Sequence, residues 1–285
     1  MALYLQIVVN GVVISCLYVL VALGLNLILG IMHIVNFAQG TIYMLAALLL
    51  FVLNVVAGLN YFVAGLLSVM VMAVLGLVME RLFFRRLRGQ FLPSLVMSLG
   101  LVLAIEGITW MNFGIVAQAV PPLFPGVVRF LGASVSKERL VIIAAGLGLI
   151  ASLFLFIRYT RAGRAIRAVE QDPEGAVLQG IDLDDVTRLV FMVSFALTAV
   201  AAVLVAPTLA LDPSIGETPL LKGLVIIVLG GMGSVTGTLL GGFIIGFTES
   251  IVGTFYDPVI ASLVSAMFLM TILIFKPSGL LPYRM

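Results

Sequence analysis

The sequence is poor in charge, since only 10% of its 285 residues are Asp, Glu, Lys or Arg while 62% are hydrophobic. Soluble domains are about a quarter charged and roughly half apolar. A chain of this size with so few charged side chains cannot cover a surface that faces water, which excludes a soluble globular protein. The formal net charge of +2 offers no strongly basic surface, so no nucleic-acid partner is expected.

Cysteine and histidine are nearly absent, with Cys16 and His33 their sole representatives. One cysteine excludes an intramolecular disulfide, and one histidine cannot complete a Cys- or His-rich metal site, so no metal is expected. Because Cys16 lies within an apolar run, we predict a thiol packed in the protein core. For His33 we expect a position at a helix end, bonded to a carbonyl group.

Motifs for nucleotide binding and hydrolysis are also missing. The sequence has no Gly-x-x-x-x-Gly-Lys-Ser/Thr phosphate loop, no His-Glu-x-x-His zinc motif and no Gly-x-Ser-x-Gly elbow. We therefore expect a chain that is not an enzyme, that binds no cofactor and that does not bind ATP through that motif.

What the sequence has in abundance is long apolar runs. They fall at about 4–30, 35–56, 60–79, 92–117, 139–158, 187–211, 219–234, 238–255 and 258–275. About 20 apolar residues span the hydrocarbon core of a bilayer as a helix. The fold class we predict is an all-α polytopic integral membrane protein, with residues 1–285 forming a single transmembrane domain. It has about eight or nine membrane segments, some of them broken or re-entrant. The first run is too long for a signal peptide and no basic residue precedes it, so we keep it in the mature protein.

The basic residues indicate how the chain is oriented. They cluster at Arg81–Arg88, at Arg158–Arg188 and at the tail with Lys276 and Arg284. The positive-inside rule places these three segments in the cytoplasm. The segment 118–138, rich in Pro and turns, then faces outward. Three helices before the first basic junction put the N-terminus outside, unless one early segment is re-entrant.

Two breaks in the apolar runs echo each other. Leu29–Met32 is followed by Gly40-Thr41, and Leu229–Met232 is followed by Gly237-Thr238. Paired, Gly-interrupted segments are typical of a transport path built from broken helices, although chance similarity in a Gly-rich chain explains them equally well. The substrate-path residues that we predict at these breaks are Asn36, Gln39, Gly40, Thr41, Gly230, Gly233 and Ser234.

Each of these residues also has a structural interpretation. Asn36 and Gln39 could bond neighbouring helices, as polar residues in membranes often do. Asn26 has the same alternative. Gly233, Gly237 and Gly241 repeat at the small-xxx-small spacing of close helix packing, and the first part of that repeat could instead break the helix.

The longest polar stretch, residues 159–188, contains two short helix candidates. The first covers Arg164–Gln171. In the second, Asp172 suits the N-cap, Pro173 the first helical position and Gly180 the C′ position, while Glu174 favours the positive end of the helix dipole. A helix of about two turns is marginal alone in water. The stretch is therefore either a solvated connector or a docking helix held by a partner.

Glu106 and Glu249 are the acids deepest within the apolar runs. An intramembrane carboxylate is a functional candidate, because burying it unpaired is unfavourable. We expect no Lys or Arg at matching depth, so both would be neutral, hydrogen-bonded or facing a cavity. Structural roles are one interpretation. The other is a proton-coupled secondary transporter that uses Glu106 or Glu249.

Four segments, in chain order, resemble the signatures of one transporter family. They are Gly24-Leu25-Asn26-Leu27-Ile28 with Gly30 and Asn36–Gly40; Arg161–Ala168 with Gln171-Asp172, Ala176 and Gly180-Ile181; Leu229–Ser234 with Gly237 and Gly241-Gly242; and Lys276–Leu280. The family is that of the ABC importer permeases for branched-chain and other hydrophobic amino acids. The resemblance covers essentially the whole chain.

This resemblance implies an ABC importer permease-like fold in a bacterial plasma (inner) membrane. It implies uptake of branched-chain or hydrophobic amino acids, or of related small polar molecules. The implied partners are a second homologous permease or a second copy of this chain, two ATP-binding cassette ATPases that use the ATP, and an extracytoplasmic substrate-binding protein. The implied ATPase-coupling residues are Arg161, Arg164, Arg167, Asp172, Pro173, Glu174 and Gly180.

The sequence departs from the family at two positions near the expected path. The family commonly has histidine where Gln39 stands and glycine where Ala46 stands. Relatives carry urea, short amides and aromatic acids as well as amino acids. The resemblance alone therefore leaves the substrate open within that range.

Overall fold

A computed structural model describes residues 2–114, 117–124, 126–130, 133–276 and 279–281. Pro277, Ser278 and Arg284 of the predicted tail lie outside the described residues. The described helices and strands are α1 (Ala2–Met32), α2 (Ala38–Phe51), α3 (Tyr61–Met79), α4 (Phe91–Phe113), β1 (Val127–Phe130), β2 (Ala133–Ser136), α5 (Lys137–Tyr159), α6 (Arg161–Gln171), α7 (Pro173–Leu178), α8 (Leu183–Val205), α9 (Glu217–Gly230), α10 (Val235–Phe255) and α11 (Pro258–Phe275).

The helices confirm the all-α polytopic membrane class. Within the described part of the chain, seven are long and apolar enough to cross a bilayer: α1, α2 continued to Val56, α3 continued to Leu87, α4, α5, α8 continued to Thr208, and α10. The apolar helices α9, with 14 residues, and α11, with its apolar stretch Val259–Ile272, complete the set. Each predicted apolar run thus corresponds to one helix, which agrees with the expected eight or nine segments.

Helix α1 lies at the centre of the bundle, packed against α5, α8, α9 and α10. Small residues allow this close approach. A Cβ at Gly146 of α5 would lie 2.8 Å from the Cβ of Cys16, and Gly242 and Gly246 of α10 lie against Val19 and Ser15. The prediction that Cys16 is a packed thiol is confirmed, since its side chain is fully buried.

Helices α4 and α11 form the periphery and leave large apolar side chains uncovered. The exposed side chains of α4 include Leu92, Val96, Leu103, Ile108 and Met111, and those of α11 include Val259, Leu263, Met267, Met270 and Ile274. In a membrane protein such a surface contacts lipid or another subunit.

Two helices begin inside the bundle. A Cβ at Gly24 of α1 would lie 2.9 Å from Nε2 of Gln39. Gly24 lies eight residues before the end of α1, so α2 begins about 12 Å back from that end at 1.5 Å per residue. The start of α9 meets the start of α2 there, since the backbone of Gly216 contacts that of Gly40. The break expected after α1 is therefore present at 33–37. A re-entrant segment at 209–216, before α9, was not predicted.

One end of the bundle, which we call the basic end, carries the arginine-rich segments Arg81–Arg88 and Arg158–Arg188. Arg88 pairs with Asp184 at 3.0 Å and with Glu80 at 3.3 Å, and Arg85 also pairs with Asp184. These pairs join the α3–α4 junction to the first turn of α8. Helix α1 also ends here, because His33 and Arg88 border the same cavity.

The C-terminal tail returns to the basic end. The N–H groups of Leu280 and Leu281 donate to the carbonyls of Leu229 and Gly230, at 2.8 and 3.0 Å. The last carbonyls of a helix have no partner within the helix, so the tail satisfies two of those at the end of α9. The basic segments and the tail thus gather at one end, as the positive-inside rule requires.

The opposite end holds the segment that was expected to be a turn-rich loop. It contains an antiparallel hairpin in which Val128 pairs with Val135, and Gln118 exchanges backbone hydrogen bonds of 2.8 Å with Leu211. The sequence did not predict this hairpin, because two strands of four residues give too short a pattern. The bridge joins the α4–α5 connection to the segment that follows α8, and the hairpin packs against α1 and α5.

Candidate translocation path and coupling helices

The predicted path residues of the first break are buried. The Gln39 amide donates to the Ser194 carbonyl at 3.2 Å, to the Ser194 hydroxyl at 3.0 Å and to the Thr198 hydroxyl. Asn36 Oδ1 accepts from the N–H of Ala38 at 3.1 Å, and the Thr41 hydroxyl donates to the carbonyl of Ala38 at 2.8 Å. The Gln39 bonds hold α2 against α8, which is the helix-bonding role of the structural interpretation, whereas the Asn36 and Thr41 bonds are local to the start of α2.

Two buried amide atoms at the same place lack a partner. Asn36 Nδ2 and Gln39 Oε1 make no hydrogen bond to any described residue. Buried polar atoms are nearly always paired with protein or ordered water. Asn36 Nδ2 can therefore still donate a hydrogen bond and Gln39 Oε1 can still accept one, and a path role for Asn36 and Gln39 stays a prediction.

Gly40 marks the closest approach of α2 to α9. A Cβ at position 40 would lie 2.8 Å from the carbonyl oxygen of Gly216 and 3.1 Å from Cβ of Leu220, and a Cβ at Gly216 would overlap the carbonyl of Gly40. Both positions therefore require glycine for steric reasons. The starts of α2 and α9 are therefore in direct backbone contact.

The second break, at 231–234, is anchored to α1. The N–H of Gly233 donates to Asn26 Oδ1 at 2.9 Å, and Ser234 caps α10 by accepting from the N–H of Gly237 at 3.0 Å. Gly230 and Gly237 touch backbone to backbone. Gly233 has a φ of 80° and lies outside the helices, so it belongs to the break, whereas Gly237 and Gly241 pack α10 against α9.

A cavity of about 570 Å³ extends from the opposite end of the bundle toward the starts of α2 and α9. Its wall includes Tyr18, Tyr43, Arg139, Asp212 and Thr218. Tyr43 lies one turn after Gly40 on α2, and Thr218 lies in the first turn of α9. The Gly40–Gly216 contact therefore lies close to the inner limit of this cavity.

The expectation that no basic residue matches the depth of Glu249 was wrong. Lys222 of α9 forms an ion pair with Glu249 of α10, and both side chains are only 10% exposed. The hydroxyl of Tyr18 donates to the other carboxylate oxygen at 2.8 Å. Lys222 falls inside the predicted run 219–234, and its partner could not be read from the sequence because α9 begins inside the bundle.

Glu106 has a different environment. It lies on the peripheral helix α4 and is partly exposed. Within the described residues, no Lys or Arg side chain forms an ion pair with Glu106. A structural or proton-linked role for Glu106 stays a prediction.

His33 ends α1 through its backbone. Its φ is 55°, and its N–H donates to the carbonyl of Leu29 at 2.9 Å. Helices commonly end with a residue in the left-handed conformation at this position. The predicted place at a helix end is therefore confirmed, with the backbone N–H as the donor.

Helix α6 begins three residues earlier than the predicted start at Arg164. The hydroxyl of Thr160 accepts from the N–H of Gly163 at 2.9 Å and so caps the helix. Gly163 packs directly on the last backbone turn of α5. Ile166 and Val169 face the bundle and are buried, whereas Arg161 and Arg164 are exposed. Arg167 donates to the carbonyl of Arg158 at 3.2 Å.

Helix α7 confirms the predicted punctuation. Asp172 Oδ1 accepts from the N–H of Gly175 at 3.0 Å, Pro173 begins the helix, and Gly180 follows its end with a φ of 80°. Glu174 is exposed in the first turn. Ala176 faces the protein, but Val177 and Leu178 are 50% and 86% exposed. The helix thus projects apolar side chains away from the bundle.

Glu170 is a residue that the sequence did not single out. Its carboxylate lies against Gly30 of α1 and borders a small cavity with Asn26, Ile157 and Gly233. Burial raises the pKa of Glu170 to about 7. The carboxylate therefore links α6 to the end of α1 and to the second break.

These features define a class: a multi-pass helical membrane protein with helices that start inside the bundle and a helical segment projecting from its basic end. Residues 7–275 match the family described as "Branched-chain amino acid transport system / permease component". The chain therefore belongs to this family of transport permeases.

Curated relatives agree over nearly the whole chain. The chain is 31% identical to the high-affinity branched-chain amino acid transport system permease protein BraD of Pseudomonas aeruginosa, over 98% of this chain and 95% of that protein. It has the same identity and coverage against LivH of Escherichia coli. A probable LivH of Methanocaldococcus jannaschii is 27% identical over 87% of this chain and 80% of that protein.

A solved structure shares the fold. It is described as "PsaBC from Streptococcus pneumoniae in complex with Fab", and it superposes with a TM-score of 0.52 over 94% of this chain and 91% of that one. The sequence identity is 13%, so the likeness concerns the fold alone.

Proposed function

We propose that this chain is a membrane-spanning subunit of an ATP-driven importer and that its cargo is a branched-chain or similar apolar amino acid. The observation that carries the proposal is the full-length relationship to BraD and LivH, whose names specify this transport. The departures from the family at Gln39 and Ala46 lie near the predicted path, where they bear on the choice among apolar amino acids.

The proposed energy input is an ATPase that holds α6 and α7. Two turns of helix are marginal on their own, yet α7 is capped at both ends and exposes Val177 and Leu178. An apolar tip with charged flanks suits a groove on another protein. Arg161, Arg164, Asp172, Glu174 and Gly180 lie on this exposed segment, whereas Arg167 bonds back to α5.

The proposed route for movement runs from α6 to the helix breaks. Glu170 joins α6 to Gly30 of α1, and Asn26 of α1 bonds Gly233 at the second break. A shift of α6 can therefore reach α1, α9 and α10 through direct contacts. Such coupling requires two arrangements of the bundle that ATP binding at the partner favours to different extents.

We further propose the composition and place of the complex. The uncovered apolar faces of α4 and α11 suit lipid and a second permease subunit, either a homologue or another copy of this chain. Two ATPases hydrolyse the ATP, since this chain has no phosphate-loop motif of its own. An extracytoplasmic binding protein delivers the cargo. The basic end lies on the cytoplasmic side of a bacterial inner membrane, and the N-terminus lies on the opposite side.

The test is co-purification of the ATPase with variants of the α7 tip. Leu178→Glu, and separately alanine replacement of Asp172-Pro173-Glu174, should abolish co-purification while the permease stays monodisperse in detergent. Lys137→Glu introduces acidic charge at the opposite end and serves as the control, which should retain the ATPase. A Leu178→Glu complex that keeps its ATPase and its full transport rate would contradict the coupling assignment.

A further inference from the structure

We propose that the 570 Å³ cavity at the opposite end is a subsite for a zwitterionic, apolar α-amino acid. In this subsite Arg139 binds the carboxylate and Asp212 binds the ammonium group. The inference rests on the proposed function, since it names where and how that cargo is recognised within the membrane subunit.

The cavity has the dimensions of a small-molecule site. Pockets for such ligands have volumes of about 300–1,000 Å³ and are mostly apolar, with a few polar groups that fix orientation. This cavity lies between α1, the first turns of α5 and the re-entrant segment before α9. It therefore faces the side from which an importer takes its cargo.

Arg139 is fixed in place yet lacks a carboxylate partner. Its Nη1 donates to Asn10 Oδ1 of α1 at 2.5 Å, which holds the guanidinium at the cavity wall. Among the described side chains, no carboxylate lies within ion-pair distance of Arg139. Arginine carries five N–H donors in a planar fork that matches a carboxylate, so a ligand carboxylate suits it.

Asp212 provides the opposite charge on the same wall. Its Oδ1 accepts from the N–H and the hydroxyl of Ser214, at 2.7 and 2.6 Å. Across the described part of the chain, no Lys or Arg side chain pairs with Asp212, and it forms no ion pair with Arg139. A cavity that presents one positive and one negative group, unpaired with each other, matches the two charges of an α-amino acid.

The remaining wall is apolar and suits the side chain of such a ligand. Leu17, Val21, Ile142, Val205 and Leu209 contribute to it. Burying apolar surface against these residues favours leucine-like cargo, whereas urea or a short amide would leave both charges without a counter-ion. Tyr18 lines the cavity and bonds Glu249, so the site adjoins the Lys222–Glu249 pair.

The experiment measures binding of tritiated L-leucine to the complete complex in nanodiscs, without ATP and without the binding protein. Isocaproate, which lacks the amine, and isoamylamine, which lacks the carboxylate, serve as competitors. In the native complex both should compete at least about tenfold more weakly than leucine, since each loses one charged hydrogen bond.

The variants assign each charge. Arg139→Gln should weaken leucine binding by about tenfold or more and remove the preference for leucine over isoamylamine. Asp212→Asn should remove the preference for leucine over isocaproate. Lys137→Gln and Asp257→Asn, at the same end but outside the cavity wall, should bind leucine like the native complex.

Two results would overturn the inference and differ in what else they affect. If the complex imports leucine with its binding protein, but the native complex binds no leucine in this assay or Arg139→Gln and Asp212→Asn bind it like the native complex, the subsite is wrong and the proposed function stands. If the complex imports urea or an amide but no amino acid, the proposed cargo and the subsite both fail.

Discussion

Lys222 of α9 and Glu249 of α10 form an ion pair in the interior of the bundle, and Tyr18 of α1 donates a hydrogen bond to the same carboxylate. The pair connects the re-entrant helix to two neighbours. Both charges are buried, so each is tolerated because the other is present.

Neutralising one member of this pair should destabilise the protein more than neutralising both. Lys222→Met leaves a buried carboxylate unpaired and should lower stability by about 3 kcal/mol or more. The double variant Lys222→Met with Glu249→Gln removes both charges and keeps an acceptor for Tyr18, so its thermal unfolding midpoint in detergent should lie closer to that of the native protein. If the double variant unfolds at as low a temperature as Lys222→Met, the unpaired carboxylate is not the cause of the lost stability.

Steric contact should make Gly40 and Gly216 intolerant of a methyl group. Alanine at either position would overlap the backbone of the other helix, so α2 and α9 must separate or the protein must lose stability. Gly100→Ala of α4 is the matched control, because nothing lies within 4 Å of a Cβ there. We expect lower thermal midpoints and slower transport for Gly40→Ala and Gly216→Ala. Native behaviour in both would show that the helix starts do not touch.

The contribution of the Asp172 cap to the stability of α7 should be measurable separately from that of the neighbouring helices. Asp172→Ala removes the acceptor for the N–H of Gly175 and should destabilise this helix by about 1 kcal/mol. Hydrogen exchange at the amides of α7 should accelerate accordingly, while exchange in α8 should not change. Faster exchange in α8 as well would indicate that the whole segment depends on Asp172.

The docking of α6 should depend on pH through Glu170. Burial raises its pKa from 4.5 to about 7, so the docked form binds a proton more tightly than the released form. The stabilising effect is fully present below about pH 4.5 and is lost as the pH rises through 7. The residues that border the carboxylate, among them Asn26, Ile157 and Gly233, do not titrate.

This dependence can be followed by hydrogen exchange of α6, corrected for the intrinsic effect of pH. Protection should fall between about pH 5 and pH 8, with a midpoint set by the pKa of Glu170. Glu170→Gln should abolish the change, and Glu174→Gln on the exposed face of α7 should keep it. A native pH profile in Glu170→Gln would assign the titration to another group.

Much of the fold follows from short-range patterns. The apolar runs predicted every long helix, and Asp172, Pro173 and Gly180 predicted both ends of α7 because capping depends on neighbours within four residues. The start of α6 was predicted three residues too late. Gly163 lies in the first turn of that helix because it fits against the end of α5, and a contact with another helix is not visible in local sequence.

The contacts that were not predicted depend on how deep each helix lies in the bundle and on how neighbouring helices are aligned along their axes. Lys222 and Glu249 are 27 positions apart in the sequence, and their pairing depends on α9 starting within the bundle. The bond from Asn26 to Gly233 and the shared cavity of Arg139 and Asp212 likewise join segments with no pattern in common. Periodicity locates a residue on its own helix, but it does not say at which height two helices meet.

The most direct test of the account is uptake of labelled leucine by proteoliposomes that contain the complete complex and its binding protein. We predict uptake that requires ATP on the side of the basic end, that is lost in Leu178→Glu, and that a pH gradient alone does not drive. Leucine uptake by this chain without any ATPase, driven by a pH gradient and abolished by Glu106→Gln or Glu249→Gln, would contradict the account and establish a proton-coupled transporter instead.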